Sequence, residues 1–236
     1  MQPVNDLNEK PSLQLIDFLK NFITPERYKK FQEAIIHRTR HLTIVLEDIY
    51  QPHNASAVLR TCDCFGIQDV HIIENRNKYE VNPDVALGAA KWLNLVRYNA
   101  DENNTITCLR RLKESGYRLV ATSPHLDDFT PDTLPLEQKT ALIFGTELAG
   151  LSLVAKEMAD GFIKIPMFGF TESLNISVSA AIFIQNLTSR LRASSINWQL
   201  TPEEQIMIMT EWLRNSIKRS DGLVENFFLK KWPDNS

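Results

Sequence analysis

The chain has 236 residues, in which 26 Lys and Arg nearly balance 29 Asp and Glu, for a formal charge of -3. With 43% apolar and 23% charged residues, it has the composition of a globular protein. A chain of this length buries enough surface to need no disulfide or metal to stabilise a core. The near-neutral balance excludes a protein that coats nucleic acid indiscriminately.

Cysteine usage and the N-terminal residues predict the compartment. Cys62, Cys64 and Cys108 lack the spacing of a zinc site, so we expect reduced, buried thiols and no metal. The first residues have neither the basic nor the apolar region of a signal peptide. The longest uncharged stretch, residues 173–189, is too polar and too short to span a bilayer. We therefore expect a cytoplasmic protein without membrane contact.

The N-terminal part is predicted to be helical. Residues 12–41 have a helical apolar pattern that breaks at Thr24-Pro25, a pair typical of an N-cap followed by proline in the first turn. The second helix is predicted over residues 26–36.

The middle of the chain alternates between strand-like and helix-like segments. Short apolar runs predict strands at residues 43–47, 69–73, 118–122, 140–144 and 161–165. Segments of helical length lie between or after them, at residues 55–65, 102–115, 153–159 and 176–192. This alternation predicts an α/β domain with a mostly parallel sheet covered on both faces.

The C-terminal part is again helical, beginning with Thr201 as a cap before Pro202. We therefore predict three parts: an N-terminal helical extension over residues 1–41, an α/β domain over 42–193 and a C-terminal helical extension over 194–236.

Basic residues are concentrated in the extensions and at the end of the last helix of the domain. A neutral chain can still present a basic face to phosphate groups, although a solvated surface of mixed charge is the simpler alternative. The candidate nucleic-acid contacts are Arg27, Lys30, Arg38, Arg40, Arg190 and Arg192.

Three segments carry polar residues directly after predicted strands, where open α/β sheets bind ligands. The first extends from Asn54 to Arg60, the second has the sequence GTELAGLS over residues 145–152, and the third has the sequence IPMFGFTESLNISVSAA over residues 165–181. Each also has a purely structural interpretation, with Asn54 and Ser173 as helix caps, the glycines as turn residues and Arg60 in a surface ion pair. Sequence signatures of P-loop, dinucleotide-binding and hydrolase sites are missing from the sequence.

Taken together and in this order, the three segments resemble the SpoU group of the SPOUT superfamily, whose members are RNA ribose 2′-O-methyltransferases. The resemblance covers residues 38–193. Residues 52–63, together with the helical extensions, are most similar to the members that methylate guanosine 18 in the D-loop of tRNA. Two alternatives stay open: a ribosomal RNA ribose methyltransferase, and a catalytically silent RNA-binding protein on the same scaffold.

The resemblance implies a C-terminal trefoil knot, a homodimer, tRNA as partner and S-adenosylmethionine as methyl donor, with S-adenosylhomocysteine as product. It implies that the cofactor is bound by Thr122, Ser123, Gly145, Ile165, Leu174 and Asn175. It also implies that the catalytic residues are Asn54, Arg60, Glu147, Ser173 and Asn175.

The family assigns activation of the ribose hydroxyl to Arg60. A free guanidinium is a poor base, because its pKa exceeds about 12. We therefore expect Arg60 to bind the adjacent phosphate and to stabilise developing oxyanion charge, with the proton leaving through a perturbed guanidinium or through water.

Overall fold

The computed structural model describes residues 11–78, 88–126, 128–146 and 149–231. The chain forms two compact units, one comprising residues 38–199 and the other residues 1–37 together with 200–236. We describe each by itself.

The larger unit is built on a six-stranded sheet in which all strands are parallel. Its strands are β1 (Leu42–Glu47), β2 (Asp69–Ile73), β3 (Asn94–Tyr98), β4 (Arg118–Thr122), β5 (Thr140–Phe144) and β6 (Gly161–Ile163). Their order is β3-β2-β1-β5-β4-β6. The strand order therefore reverses between β1 and β5, which is where sheets of this kind bind ligands.

Helices cover both faces of the sheet, as the alternating pattern predicts. The helices of the two units, numbered along the chain, are α1 (Leu13–Leu19), α2 (Pro25–Ile35), α3 (Pro52–Phe65), α4 (Asn104–Glu114), α5 (Leu153–Met158), α6 (Ile176–Ala193), α7 (Pro202–Ser216) and α8 (Ser220–Lys231). Side chains of α3 and α6 form one apolar cluster with the sheet, and side chains of α4 and α5 form the other.

The central strands supply both clusters because successive side chains point to opposite faces. In β1, Ile44 and Leu46 belong to the cluster with α3 and α6, whereas Val45 belongs to the cluster with α4 and α5. Every residue of β1 is buried, so polar groups can reach solvent only at the ends of the strands.

In the smaller unit, the two predicted extensions pack together. Helix α1 contacts α7 and α8, and α2 contacts α7. The rings of Phe31 and Trp212 lie 5.6 Å apart, and those of Phe18 and Phe227 lie 5.2 Å apart. Thr201 forms a capping box with Glu204 at the start of α7.

Several element predictions need correction. Strand β3 was missed, because it lies at the sheet edge and its side chains are mostly half-buried and lack a continuous apolar run. Strand β6 ends at Ile163 rather than at residue 165. Helix α3 begins at Pro52 with Gln51 as N-cap, so Asn54 lies inside the first turn and is not the cap.

Candidate functional site

Three loops meet at the carboxyl edge of the sheet and enclose a cavity of about 580 Å³. They follow β4, β5 and β6. All six residues proposed to bind a cofactor line this cavity, together with Ser173: Thr122, Ser123, Gly145, Ile165, Leu174 and Asn175. Phe144 and Phe183 supply an apolar wall, and their ring centroids are 6.1 Å apart. The volume suits a small organic ligand.

The turn after β5 requires glycine at its first position. A Cβ atom added to Gly145 would lie 2.3 Å from the carbonyl carbon of Gly150 and 2.4 Å from the nitrogen of Leu151. Thr146 and Gly150 exchange two backbone hydrogen bonds, of 3.1 and 3.0 Å, and Gly150 adopts a φ of +66°. The turn therefore folds back on its own backbone, which only a residue without a side chain permits.

The same turn is attached to the neighbouring elements by Glu47, whose side chain sequence analysis overlooked. Glu47 is only 2% exposed at the end of β1. Its carboxylate accepts hydrogen bonds from the Ser152 amide at 2.9 Å, the Ser152 hydroxyl at 2.7 Å and the Thr105 hydroxyl at 2.7 Å. The sequence signal that could have identified Glu47 is a carboxylate at the end of a buried apolar strand. A buried charge requires hydrogen-bond donors, so such a residue is expected to have partners from other segments.

Two of the proposed catalytic residues are joined by an amide hydrogen bond. Asn175 caps α6 and donates from Nδ2 to Oδ1 of Asn54 at 3.1 Å. Asn54, 3% exposed, donates in turn to Oε1 of Gln51 at 3.2 Å. The start of α3 is thereby linked to the wall of the cavity, although Asn54 itself does not line it.

Arg60 lies two turns into α3 and is exposed. Its side chain makes no hydrogen bond or ion pair with another described residue, so its guanidinium is available to a ligand, but Arg60 does not line the cavity. Glu147, the fifth proposed catalytic residue, lies outside the described residues.

The six proposed nucleic-acid contacts differ in their surroundings. Arg27 and Lys30 are exposed on α2, with Arg27 5.6 Å from the centroid of the Phe31 ring. Arg38 is 5% exposed; it forms an ion pair with Asp63 and donates to the Ile67 carbonyl at 3.3 Å. Arg38 therefore has a structural role in the α/β unit.

The remaining three cations also make intramolecular contacts. Arg40 forms an ion pair of 3.0 Å with Asp69. Arg190 donates to the carbonyls of Pro131 and Leu134, in the connection between β4 and β5. Arg192 donates to the Phe65 carbonyl at 2.7 Å, at the end of α3, where a positive charge stabilises the helix dipole. Burial lowers the pKa of Arg192.

The titratable groups with the largest pKa shifts do not line the cavity: they are Cys62, His71, Tyr98 and Cys108, and burial is the main cause of each shift. Burial lowers the pKa of His71 to about 4 and raises that of Cys108 to about 12, so both are neutral at pH 7. The prediction of buried thiols holds for Cys62 and Cys108 and is wrong for Cys64, which is exposed on α3.

Within the described ranges, no group of three or more His, Cys, Asp or Glu side chains is arranged to hold a metal ion. No helix in the described part of the chain is long and apolar enough to cross a membrane.

A parallel sheet with a ligand-sized cavity at its carboxyl edge defines an α/β protein with a small-molecule site. The chain belongs to the SpoU rRNA Methylase family, whose family model matches residues 41–185.

Named relatives cover most of the chain. A tRNA (guanosine(18)-2'-O)-methyltransferase from Borreliella burgdorferi is 43% identical over 206 residues, which are 87% of this chain and 93% of the relative. An enzyme of the same name from Thermus thermophilus is 35% identical over 193 residues, 81% of this chain and 97% of the relative. The crystal structure of the A. aeolicus TrmH/SpoU tRNA modifying enzyme matches with a TM-score of 0.73 at 26% identity, covering 82% of this chain and 98% of that one.

The contacts of Arg38 predict that its replacement affects folding. Arg38→Ala leaves the Asp63 carboxylate without its partner, so we expect the free energy of unfolding to fall by roughly 3 kcal/mol. Urea titration followed by circular dichroism measures this change. Lys30→Ala, at an exposed position, should change it by less than about 0.5 kcal/mol. Equal stability of the two variants would contradict a structural role for Arg38.

Proposed function

We propose that this protein transfers a methyl group from S-adenosylmethionine to the ribose 2′-hydroxyl of guanosine 18 in the D-loop of tRNA. The observation that carries the proposal is that residues of the second and third family motifs line one cavity of about 580 Å³ at the carboxyl edge, and that Asn54 of the first motif is hydrogen-bonded to Asn175 in its wall. The names of the relatives from B. burgdorferi and T. thermophilus support tRNA as the substrate. The cytoplasm is the proposed location.

The cavity fits the cofactor by size and by chemistry. Phe144 and Phe183 provide an apolar surface for the adenine ring. The backbone at Gly145, Ile165 and Leu174, with Thr122 and Ser123 at the end of β4, supplies polar groups for adenine and ribose. When bound, S-adenosylmethionine supplies an electrophilic methyl group. The same residues would hold S-adenosylhomocysteine, the product.

The side chains of this protein position and activate the ribose. The reaction requires the hydroxyl oxygen to align with the methyl carbon and to lose its proton, through a perturbed guanidinium or through water, as the new bond forms. Arg60 binds the adjacent phosphate and stabilises the developing negative charge on the oxygen. Asn175, held by Asn54 and placed beside Ser173, orients the ribose at the cavity wall. Glu147 is proposed to support the turn after β5.

The same proposal includes a trefoil knot in the C-terminal part of the α/β unit. Three features support it. First, β6 pairs with β4 at the sheet edge, and second, α6 then returns across the sheet to pack against α3. Third, residues 129–134 contact both β6 and α6, as a loop surrounding the returning chain would. An experimental structure with continuous density over residues 123–176 tests the knot, and an unknotted trace would contradict it.

Exposed cations are proposed to bind the tRNA phosphates. Arg27 and Lys30 are the strongest candidates, because both are exposed on α2. Arg38 and Arg40 are paired with Asp63 and Asp69, which offset their charge, so they add little to the positive potential. Arg190 and Arg192 donate to backbone carbonyls, so they contribute both to the local structure and to the positive potential. Arg27→Glu with Lys30→Glu should weaken tRNA binding while leaving S-adenosylhomocysteine affinity unchanged. An equal loss of tRNA affinity and S-adenosylhomocysteine affinity would contradict separate binding sites for the two ligands.

Incubation with labelled S-adenosylmethionine and either unmodified tRNA or ribosomal RNA tests the function, when followed by mapping of the methylated nucleoside. Label at the 2′-oxygen of guanosine 18 is expected. Label on ribosomal RNA alone would identify a ribosomal RNA methyltransferase. The lack of label on both RNAs would favour a catalytically silent RNA-binding protein.

Gly145→Ala should disrupt the cofactor site. The added methyl group meets backbone atoms that cannot move aside, so we expect strain of about 1–3 kcal/mol and at least about a tenfold loss of S-adenosylhomocysteine affinity. Isothermal titration calorimetry measures the affinity. Gly169→Ala is the matched control, because no atom lies within 4 Å of its added Cβ. Unchanged binding by Gly145→Ala would place the cofactor elsewhere.

Arg60→Lys tests the role of the guanidinium. Lysine keeps the charge but cannot make two parallel hydrogen bonds, so we expect kcat to fall by about 100-fold with unchanged S-adenosylhomocysteine affinity. Arg110→Lys, an exposed substitution on α4, should retain the full rate. Near-complete activity of Arg60→Lys would rule out the bidentate role.

A homodimer is proposed from an exposed apolar surface around the start of α6. Phe168, Phe170, Leu174, Val178 and Ile182 are all exposed on this short stretch of chain. Ile182→Asp should therefore convert the protein to a monomer in analytical ultracentrifugation. Leu13→Asp, at an exposed position in the other unit, should leave the mass unchanged. A monomeric wild-type protein would contradict the dimer.

A further inference from the structure

A second cavity, of about 760 Å³, lies at the carboxyl edge beside the first. Thr146, Ala149, Gly150 and Leu151 line both cavities, so the turn after β5 forms the wall between them. The opposite side of the second cavity is formed by residues that follow β1 and β2 and by residues that precede α4. Apart from the second motif, which forms this shared wall, none of the three motifs lines the second cavity.

Asp48 holds the loop after β2, which lines the second cavity, by hydrogen bonds. This residue has a φ of +52°, a left-handed conformation that non-glycine residues rarely adopt. Its carboxylate accepts hydrogen bonds from the amides of Asn75 at 2.7 Å and Arg76 at 2.8 Å. Its carbonyl accepts one from the side chain of Asn77 at 2.8 Å. Such a constrained conformation is typical of a preorganised binding site.

The loop after β2 is also fixed to the start of α4. The side chain of Asn75 donates to the Thr105 hydroxyl at 2.8 Å and accepts from the Asn104 amide at 3.0 Å. Both walls of the cavity are therefore ordered by hydrogen bonds, as recognition of a particular ligand requires.

The lining of the second cavity combines an aromatic ring with polar side chains. Tyr50 lines it and is 72% exposed, so its ring is open to a ligand in the cavity. Glu102 and Arg76 are exposed on the lining, and Gln51 adds an amide. An unstacked RNA base is recognised by this combination, with a ring to stack on and polar groups for its edges.

The charged pair favours guanine among the bases. A carboxylate can accept hydrogen bonds from the N1–H and amino group of guanine, and an arginine can donate to its O6 and N7 atoms. Adenine has no N1–H and would offer its exocyclic amino group to Arg76, a donor facing a donor.

A continuous chain of amides connects the two cavities. Gln51 lines the second cavity, Asn175 lines the first, and Asn54 is hydrogen-bonded to both, at 3.2 and 3.1 Å. A base held in the second cavity would therefore place its nucleotide, or the one beside it, close to Asn54 and Asn175.

We infer, on the basis of the proposed function, that the second cavity binds a guanine base of the substrate RNA, stacked on Tyr50 and read by Glu102 and Arg76. The methylated ribose would then be positioned by base recognition as well as by contacts to phosphate.

The test uses the full-length protein and an end-labelled tRNA transcript in fluorescence anisotropy. Tyr50→Ala should weaken binding by about tenfold or more, and Tyr50→Phe, which retains the ring, should stay within about twofold of wild type. Glu102→Gln should weaken binding by about fivefold or more. Its matched control is Glu157→Gln, exposed on α5 and lining neither cavity. The S-adenosylhomocysteine affinity should be the same for all variants.

Base recognition is tested with transcripts in which inosine, which lacks the 2-amino group, replaces each guanosine of the D-loop in turn. Wild type should lose affinity for one of these transcripts, and Glu102→Gln should bind that transcript and the parent equally. If the wild type discriminates against none of them, the guanine site is overturned.

The remaining outcomes separate this site from the proposed activity. If the wild type methylates guanosine 18 and Tyr50→Ala binds tRNA as tightly as the wild type, the second site is overturned and the proposed function stands. Tyr50-dependent and Glu102-dependent binding without methyl transfer would support the site and overturn the activity. Dissociation of Tyr50→Ala into monomers in ultracentrifugation would assign Tyr50 to an interface and overturn the base site.

Discussion

The buried carboxylate of Glu47 joins three segments that lie far apart in the chain. It ends β1 and accepts hydrogen bonds from Ser152, after β5, and from Thr105, in the first turn of α4. A charge so deeply buried is stable only with such hydrogen-bond donors, so Ser152 and Thr105 must stay beside the end of β1. The turn that contains Gly145 and Gly150 is thereby held against β1, and the shared wall of both cavities depends on it.

Both cavities lie at the carboxyl edge of the sheet, and the coverage of the sheet by helices explains why. The central strands are apolar on both faces because helices cover both, so their interiors offer no place for a charged or hydrogen-bonding ligand. The carboxyl ends are different, because there the loops bring backbone groups, amides and charges together. The chain from Gln51 through Asn54 to Asn175 extends from one cavity to the other across this edge.

Much of the fold could be predicted from local pattern. Strands β2, β4 and β5 and helices α3 to α6 have apolar periods that the sequence shows directly. Strand β3 could not be found in this way, since an edge strand buries few of its side chains. The roles of the cations were also hidden. Arg38 and Asp63 are 25 residues apart, and charge alone does not distinguish an arginine bound to a carboxylate from one facing solvent.

The sequence by itself determined the class of the fold, the family and the three motifs, because these depend on residue types at short and regular spacings. Only the tertiary structure decided which residues share a cavity, that Arg38 is buried in an ion pair, and that a second cavity adjoins the first. Glu47 and Ser152 are separated by 105 residues, and Asn54 and Asn175 by 121. Contacts over such distances arise from the packing of the sheet and its loops, and no periodicity along the chain records them.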